Sequence, residues 1–206
     1  VGASAELHEY FHAGQYASGV WKTLEKPQLT TRDNVIVSML IEATALAYQL
    51  IAEQEAKNHK LGFAKPEIKH DLVSDEPGIR EAFRAAYSKA FKNLARLKPA
   101  EREVKALETA GQETVRHLLQ GKNPRWQDGY TYLALEMARA RPSQVIGTDE
   151  GYEDMRREIY SKAGYVSPQI NLTPEEFLGA DAGRQIEGYF KQQFRIEGSQ
   201  ILLAAP

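Results

Sequence analysis

Cysteine is absent from the 206-residue chain. That removes disulfides, thiolate zinc sites and cysteine nucleophiles together, so any metal site must use His, Asp, Glu and water. A strong charge imbalance is also missing, with a formal net charge of -2. This argues against a general nucleic-acid footprint. No uninterrupted apolar run reaches the length of a membrane span, and no sequence repeat recurs at a fixed period. Only five histidines and two tryptophans occur. Apolar residues make up 42% and charged residues 26%, the balance of a folded domain with a buried core.

Two of the five histidines lie in one short stretch, Leu7-His8-Glu9-Tyr10-Phe11-His12. Residues four apart share a helix face, so His8 and His12 can aim two imidazoles at one ion. Glu9 then stands beside that ion, where a general base for a metal-activated water is needed. By chance, about one chain in a hundred of this length would carry His-Glu-x-x-His. The alternative reading makes His8 and His12 surface residues of a frayed N-terminus.

Periodicity, caps and breakers predict an all-α fold, a bundle of about seven helices forming a single domain over 1–206. The first helix is expected at 5–22, ended by Lys26-Pro27. Thr30-Thr31-Arg32-Asp33 caps a second, which runs to about residue 60 and closes at Gly62. Residues 66–75 read as a loop. Further helices are expected at 76–97, at 99–120 with Pro99 in the first position, at 125–140, at 152–162, and at 173–194 after a Thr-Pro-Glu-Glu cap. Residues 144–146, 166–172 and 201–203 could form short strands. Phe83, Tyr87 and Phe91 recur at helical spacing and read as core, whereas His59, His70 and His117 are scattered and read as surface or capping groups.

The second helix carries the anomaly. From 35 to 52 it is apolar on most sides, and Glu42 is its one charge. A buried carboxylate must take up a proton or find a cation. One solution is an Arg or Lys from a later helix. Another is the histidine pair: two helices joined by a turn pack as an antiparallel hairpin, here over 1–62, which lets Glu42 face His8 and His12 while 63–206 supports it. Two histidines, a glutamate and an open position form a catalytic zinc ligand set.

At this point the sequence resembles a known family. His8-Glu9-Tyr10-Phe11-His12-Ala13-Gly14-Gln15 followed by Ile41-Glu42-Ala43-Thr44-Ala45 is similar to the gluzincin-type zinc metallopeptidases. More narrowly, it resembles a group of bacterial metallopeptidase domains that pair a His-Glu-x-x-His-Ala-x-Gln helix with a downstream Glu-Ala-x-Ala helix. The likeness covers about the first sixty residues. It implies Zn2+ on His8, His12 and Glu42, Glu9 as the catalytic base, Gln15 as a group behind His12, and a peptide or protein as substrate. Gluzincins place an edge strand before the motif helix. The expectation here is that a preceding segment or a partner chain completes the cleft. Tyr130, Tyr132, Tyr160, Tyr165, His70 and His117 have the chemistry to stabilise an oxyanion, and the sequence does not separate them. The compartment stays open, with an exported or effector-type role compatible with the absence of cysteine. The competing functional reading is a non-catalytic helical scaffold or interaction module in which the motif is accidental or vestigial.

Overall fold

The computed structural model describes residues 3–25, 28–61, 77–119, 130, 133–134, 136–137, 140, 150–164, 194–197 and 200–203. The fold class is all-α. Among the described residues six helices run in chain order: α1 (Ala3–Ala17), α2 (Val20–Glu25), α3 (Thr31–Asn58), α4 (Pro77–Asn93), α5 (Pro99–Leu119) and α6 (Tyr152–Gly164). A two-stranded antiparallel hairpin follows, β1 (Phe194–Glu197) with β2 (Gln200–Leu203), pairing Phe194 with Leu203 and Glu197 with Gln200. The tail expected at 201–203 is therefore strand. Within the stretch expected as a helix at 125–140, the described residues Tyr130, Leu133, Ala134, Glu136, Met137 and Ala140 are helical. The loop at 66–75, the strands at 144–146 and 166–172, and nearly all of the helix at 173–194 lie outside the described residues. Its last position, Phe194, begins β1.

The fold is built around α3. From Asp33 to Leu50 every residue is buried except Ser38 and Glu42. Helices α1, α2, α5 and α6 all contact α3, and α4 packs on α5. By length and hydropathy Asp33–Asn58 would pass for a membrane span, but most of its apolar stretch is buried within the protein's own fold. The fully buried Met39, Leu40, Ile41 and Leu46 each contribute roughly 1.5–3 kcal/mol. One uncompensated carboxylate on this helix would offset one or more of them.

Local chemistry sets both ends of α3. Thr30 is the N-cap and its side chain accepts from the Asp33 amide at 3.2 Å. The Asp33 carboxylate, 8% exposed, accepts from Thr30 Oγ1 at 2.9 Å, from the Tyr160 hydroxyl at 2.9 Å and from the Tyr152 hydroxyl. Arg156 lies 3.8 Å away. This cluster fastens α6 to the start of α3. Burial, and then the hydrogen bond to Asp33, push the Tyr152 hydroxyl up to about 12.

At the other end the expected closure at Gly62 gives way to Lys60, which adopts a left-handed φ of 57°. Leu61 N–H donates to Ala56 O at 2.8 Å and Lys60 N–H to Lys57 O at 3.3 Å. These are the 6→1 and 5→2 bonds of a Schellman motif, which satisfy carbonyls the helix leaves open. The chain turns two residues earlier than glycine placement suggests.

The first expected helix is also divided. Instead of running through 5–22, it breaks at Ser18-Gly19, where Gly19 takes φ 86°. Ser18 Oγ donates to Gln15 O at 2.6 Å, and Gly19 N–H to Tyr16 O at 3.0 Å. Serine competes for backbone acceptors and glycine tolerates positive φ, so the pair is a stop signal.

Of the expected aromatic core series only Phe83 is fully buried, at 2%. Tyr87 and Phe91 are half-buried. The Asn58 amide donates to the Tyr87 hydroxyl, and the Arg102 guanidinium lies 3.8 Å over the Phe91 ring.

Candidate metal centre

On α1, His8, Phe11, His12 and Gln15 recur at spacings of three and four and form the face turned to α3. Three contacts fix that packing. Phe11 stacks on Tyr48 with ring centres 4.5 Å apart. Gln15, 2% exposed, donates from Nε2 to the Ile41 carbonyl at 3.0 Å. Between these, Glu42 Oε2 lies 3.5 Å from His8 Nε2 and 3.4 Å from His12 Nε2.

The two imidazoles meet at Nε2–Nε2 3.0 Å, their rings edge to face at 82°. His8, His12 and Glu42 thus offer three ligand atoms at the corners of a triangle with edges of 3.0, 3.4 and 3.5 Å. Zinc bonds of about 2.0–2.1 Å at tetrahedral angles place neighbouring ligand atoms about 3.3 Å apart. A single point about 2.0 Å from all three atoms therefore exists, and the donor set fits a zinc-type ion. The three side chains retain 14–21% exposure. Ser38 and Glu42 are the one opening in an otherwise buried stretch of α3, so the triangle sits where solvent reaches that helix.

Hydrogen bonding also sets the form of His12. The Ile41 carbonyl can only accept, so the amide nitrogen of Gln15 must face it. Gln15 Oε1 then points at His12 Nδ1, 2.8 Å away, and must accept a proton from it. Neutral His12 is accordingly the Nδ1–H tautomer, with the Nε2 lone pair aimed at Glu42 and His8. This is the form a metal ligand takes, fixed by the group behind it.

The charges interlock as well. Burial alone would push the Glu42 carboxyl up, but hydrogen bonds and charge from His12 and His8 bring it down to about 2. For His12, burial opposes the charged ring, and Glu42, Gln15 and Glu9 together outweigh it, so its pKa is raised. Metal-free, the cluster holds together as an ion pair.

No protein-family profile matches the chain, and no curated protein or solved structure matches it.

The structure thus brings His8, His12 and Glu42 together. Glu9 is exposed on the neighbouring flank of α1, near enough for its charge to act on His12. Among the described residues, Glu42 meets the two histidines and not the alternative partner, a cation from a later helix. Arg80 of α4 pairs instead with Glu53, eleven residues further along α3. Among the candidates for an oxyanion donor, Tyr160 is 1% exposed and committed to Asp33. Asp33 lies nine residues before Glu42, about 13 Å along the helix axis. Tyr132, Tyr165 and His70 lie outside the described residues. His59 caps α3 and faces Glu103 at 3.2 Å, a surface role as expected.

Sequence reasoning missed Trp21. Nine residues after His12, on an unbroken helix it would point to the opposite face about 13 Å away. The turn at Gly19 folds α2 back, and the Trp21 ring comes to rest edge to face with His12, centres 5.9 Å apart at 74°. The Ser18-Gly19 pair was the available signal.

Proposed function

We propose that this chain is a zinc-dependent metallopeptidase or amide hydrolase of the gluzincin kind. An antiparallel pair of α1 and α3, in a bundle of about seven helices, carries the site. His8, His12 and Glu42 hold the ion. Zinc bound there supplies a Lewis acid that polarises a carbonyl and acidifies water. Glu9, exposed and one residue on from a ligand, accepts a proton from the attacking water. It returns that proton to the leaving nitrogen as the carbon–nitrogen bond breaks. Gln15 holds His12 in the tautomer that leaves Nε2 free.

One observation carries the reading. Three ligand-type atoms from two helices converge at zinc-ligand spacing, with His12 Nδ1 taken by Gln15 and Nε2 left to face the other two. A pair of surface histidines needs neither the buried glutamine nor the single carboxylate of the apolar stretch 35–52.

The test is elemental analysis of freshly purified protein and of His8→Ala, His12→Ala and Glu42→Gln. About one zinc per chain, lost in each variant, is the expected result. Protein that neither contains zinc nor takes it up on addition overturns the metal site and leaves the helical scaffold. Glu9→Gln separates catalysis from binding: it should keep the zinc and lose hydrolysis of a peptide library, and full activity in that variant refutes the base assignment.

A further inference from the structure

Trp21 comes to lie beside His12 because the chain breaks at Gly19, between α1 and α2. It packs on the core with part of its surface and leaves the rest exposed. The His12 ring meets two others edge to face, His8 with centres 4.6 Å apart and Trp21 with centres 5.9 Å apart. Adding the imidazole radius and one zinc bond, the centre of the indole lies no more than about 9 Å from the ion. An extended peptide advances about 3.3–3.6 Å per residue, so this is within reach of side chains next to the scissile bond. Tyr16 lies one helical turn beyond His12 on α1 and is 56% exposed.

A solvent-reaching triangle of polar ligands flanked by a part-exposed indole selects for what can stack there. We infer that Trp21 is a specificity-determining wall of the site, and that the preferred substrate carries an aromatic side chain beside the scissile bond. The inference rests on the metal reading above. It adds the substrate class, which that reading leaves open. An aromatic contact of this kind is worth about three- to tenfold in affinity.

The experiment measures binding, not turnover. Zinc-loaded protein is titrated by calorimetry with acetohydroxamic acid and with benzohydroxamic acid, which share the metal-chelating group and differ by a phenyl ring. Wild type should bind the benzo compound about three- to tenfold more tightly. In Trp21→Ala that ratio should fall to within about twofold of unity. Trp21→Leu keeps apolar bulk against the core and decides the matter if the alanine variant fails to fold; its ratio should also drop. A ratio near one in wild type, or an unchanged ratio in Trp21→Leu, overturns the wall while leaving the metal site standing. Failure of the wild type to load zinc overturns the metal reading itself.

Discussion

Replacing Gln15 separates the two tasks that the structure gives one side chain. Its oxygen accepts from His12 Nδ1 at 2.8 Å and its nitrogen donates to the Ile41 carbonyl at 3.0 Å, with the residue 2% exposed. Gln15→Ala removes both bonds. Each is worth about 1 kcal/mol net, and leaving the His12 N–H buried without an acceptor adds to the loss, so the urea unfolding free energy should fall by about 2–3 kcal/mol. Zinc affinity, read by competition with a chromophoric chelator, should fall about 10–100-fold, because His12 can then take either tautomer and either ring orientation. Gln15→Glu pulls the two effects apart. Its carboxylate still accepts from His12 Nδ1 but faces the Ile41 carbonyl with no proton to donate. Stability should drop by about as much as in the alanine variant, while zinc affinity stays within about tenfold of wild type. Folded Gln15→Ala that binds zinc as tightly as wild type would refute the tautomer argument. So would Gln15→Glu losing as much affinity as Gln15→Ala.

Two further outcomes follow from the same geometry. In protein stripped of metal, the Glu42 carboxyl is lowered to about 2 from its ordinary 4.5, so the pairing stabilises the fold fully above about pH 4.5 and is lost as pH falls through about 2. The raised His12 acts in the opposite sense: the same pairing is intact below its ordinary 6.5 and is lost as pH rises through the folded value. Urea unfolding across pH should therefore show a plateau on the order of 2–3 kcal/mol, bounded on both sides, which Glu42→Gln flattens. A wild-type profile identical to that of Glu42→Gln counts against the ion pair. Lys60→Gly removes the strain of a left-handed lysine at the end of α3. It should raise the urea midpoint by the equivalent of about 0.5–1 kcal/mol, and no gain would mean that the αL closure is not strained.

Much of the helical layout was legible because its causes are local. A cap at Thr30, proline at the first position of α5, and the apolar stripe of α3 all act within one or two turns. The extent of burial on α3 followed from composition, since a helix apolar nearly all round can satisfy itself only with neighbours on several sides. Where the reading slipped, a local signal had been outweighed. Gly62 drew the end of α3 two residues too far, although the left-handed position falls on Lys60. The apolar run after His12 carried the first helix through Ser18-Gly19.

By itself, the sequence determined that His8 and His12 share a helix face, that Glu9 flanks them, and that Glu42 is the lone charge of the apolar stretch 35–52. Those are consequences of a 3.6-residue turn and of the cost of burying a carboxylate. Tertiary structure alone decided that the three ligand atoms close to 3.0–3.5 Å, that Gln15 reaches the carbonyl preceding Glu42 and so sets the His12 tautomer, and that Trp21 returns to stand beside it. Each depends on how α1 and α2 settle against a helix distant in the chain. Packing and the turn at Gly19 set that distance, and no spacing within a single helix encodes it.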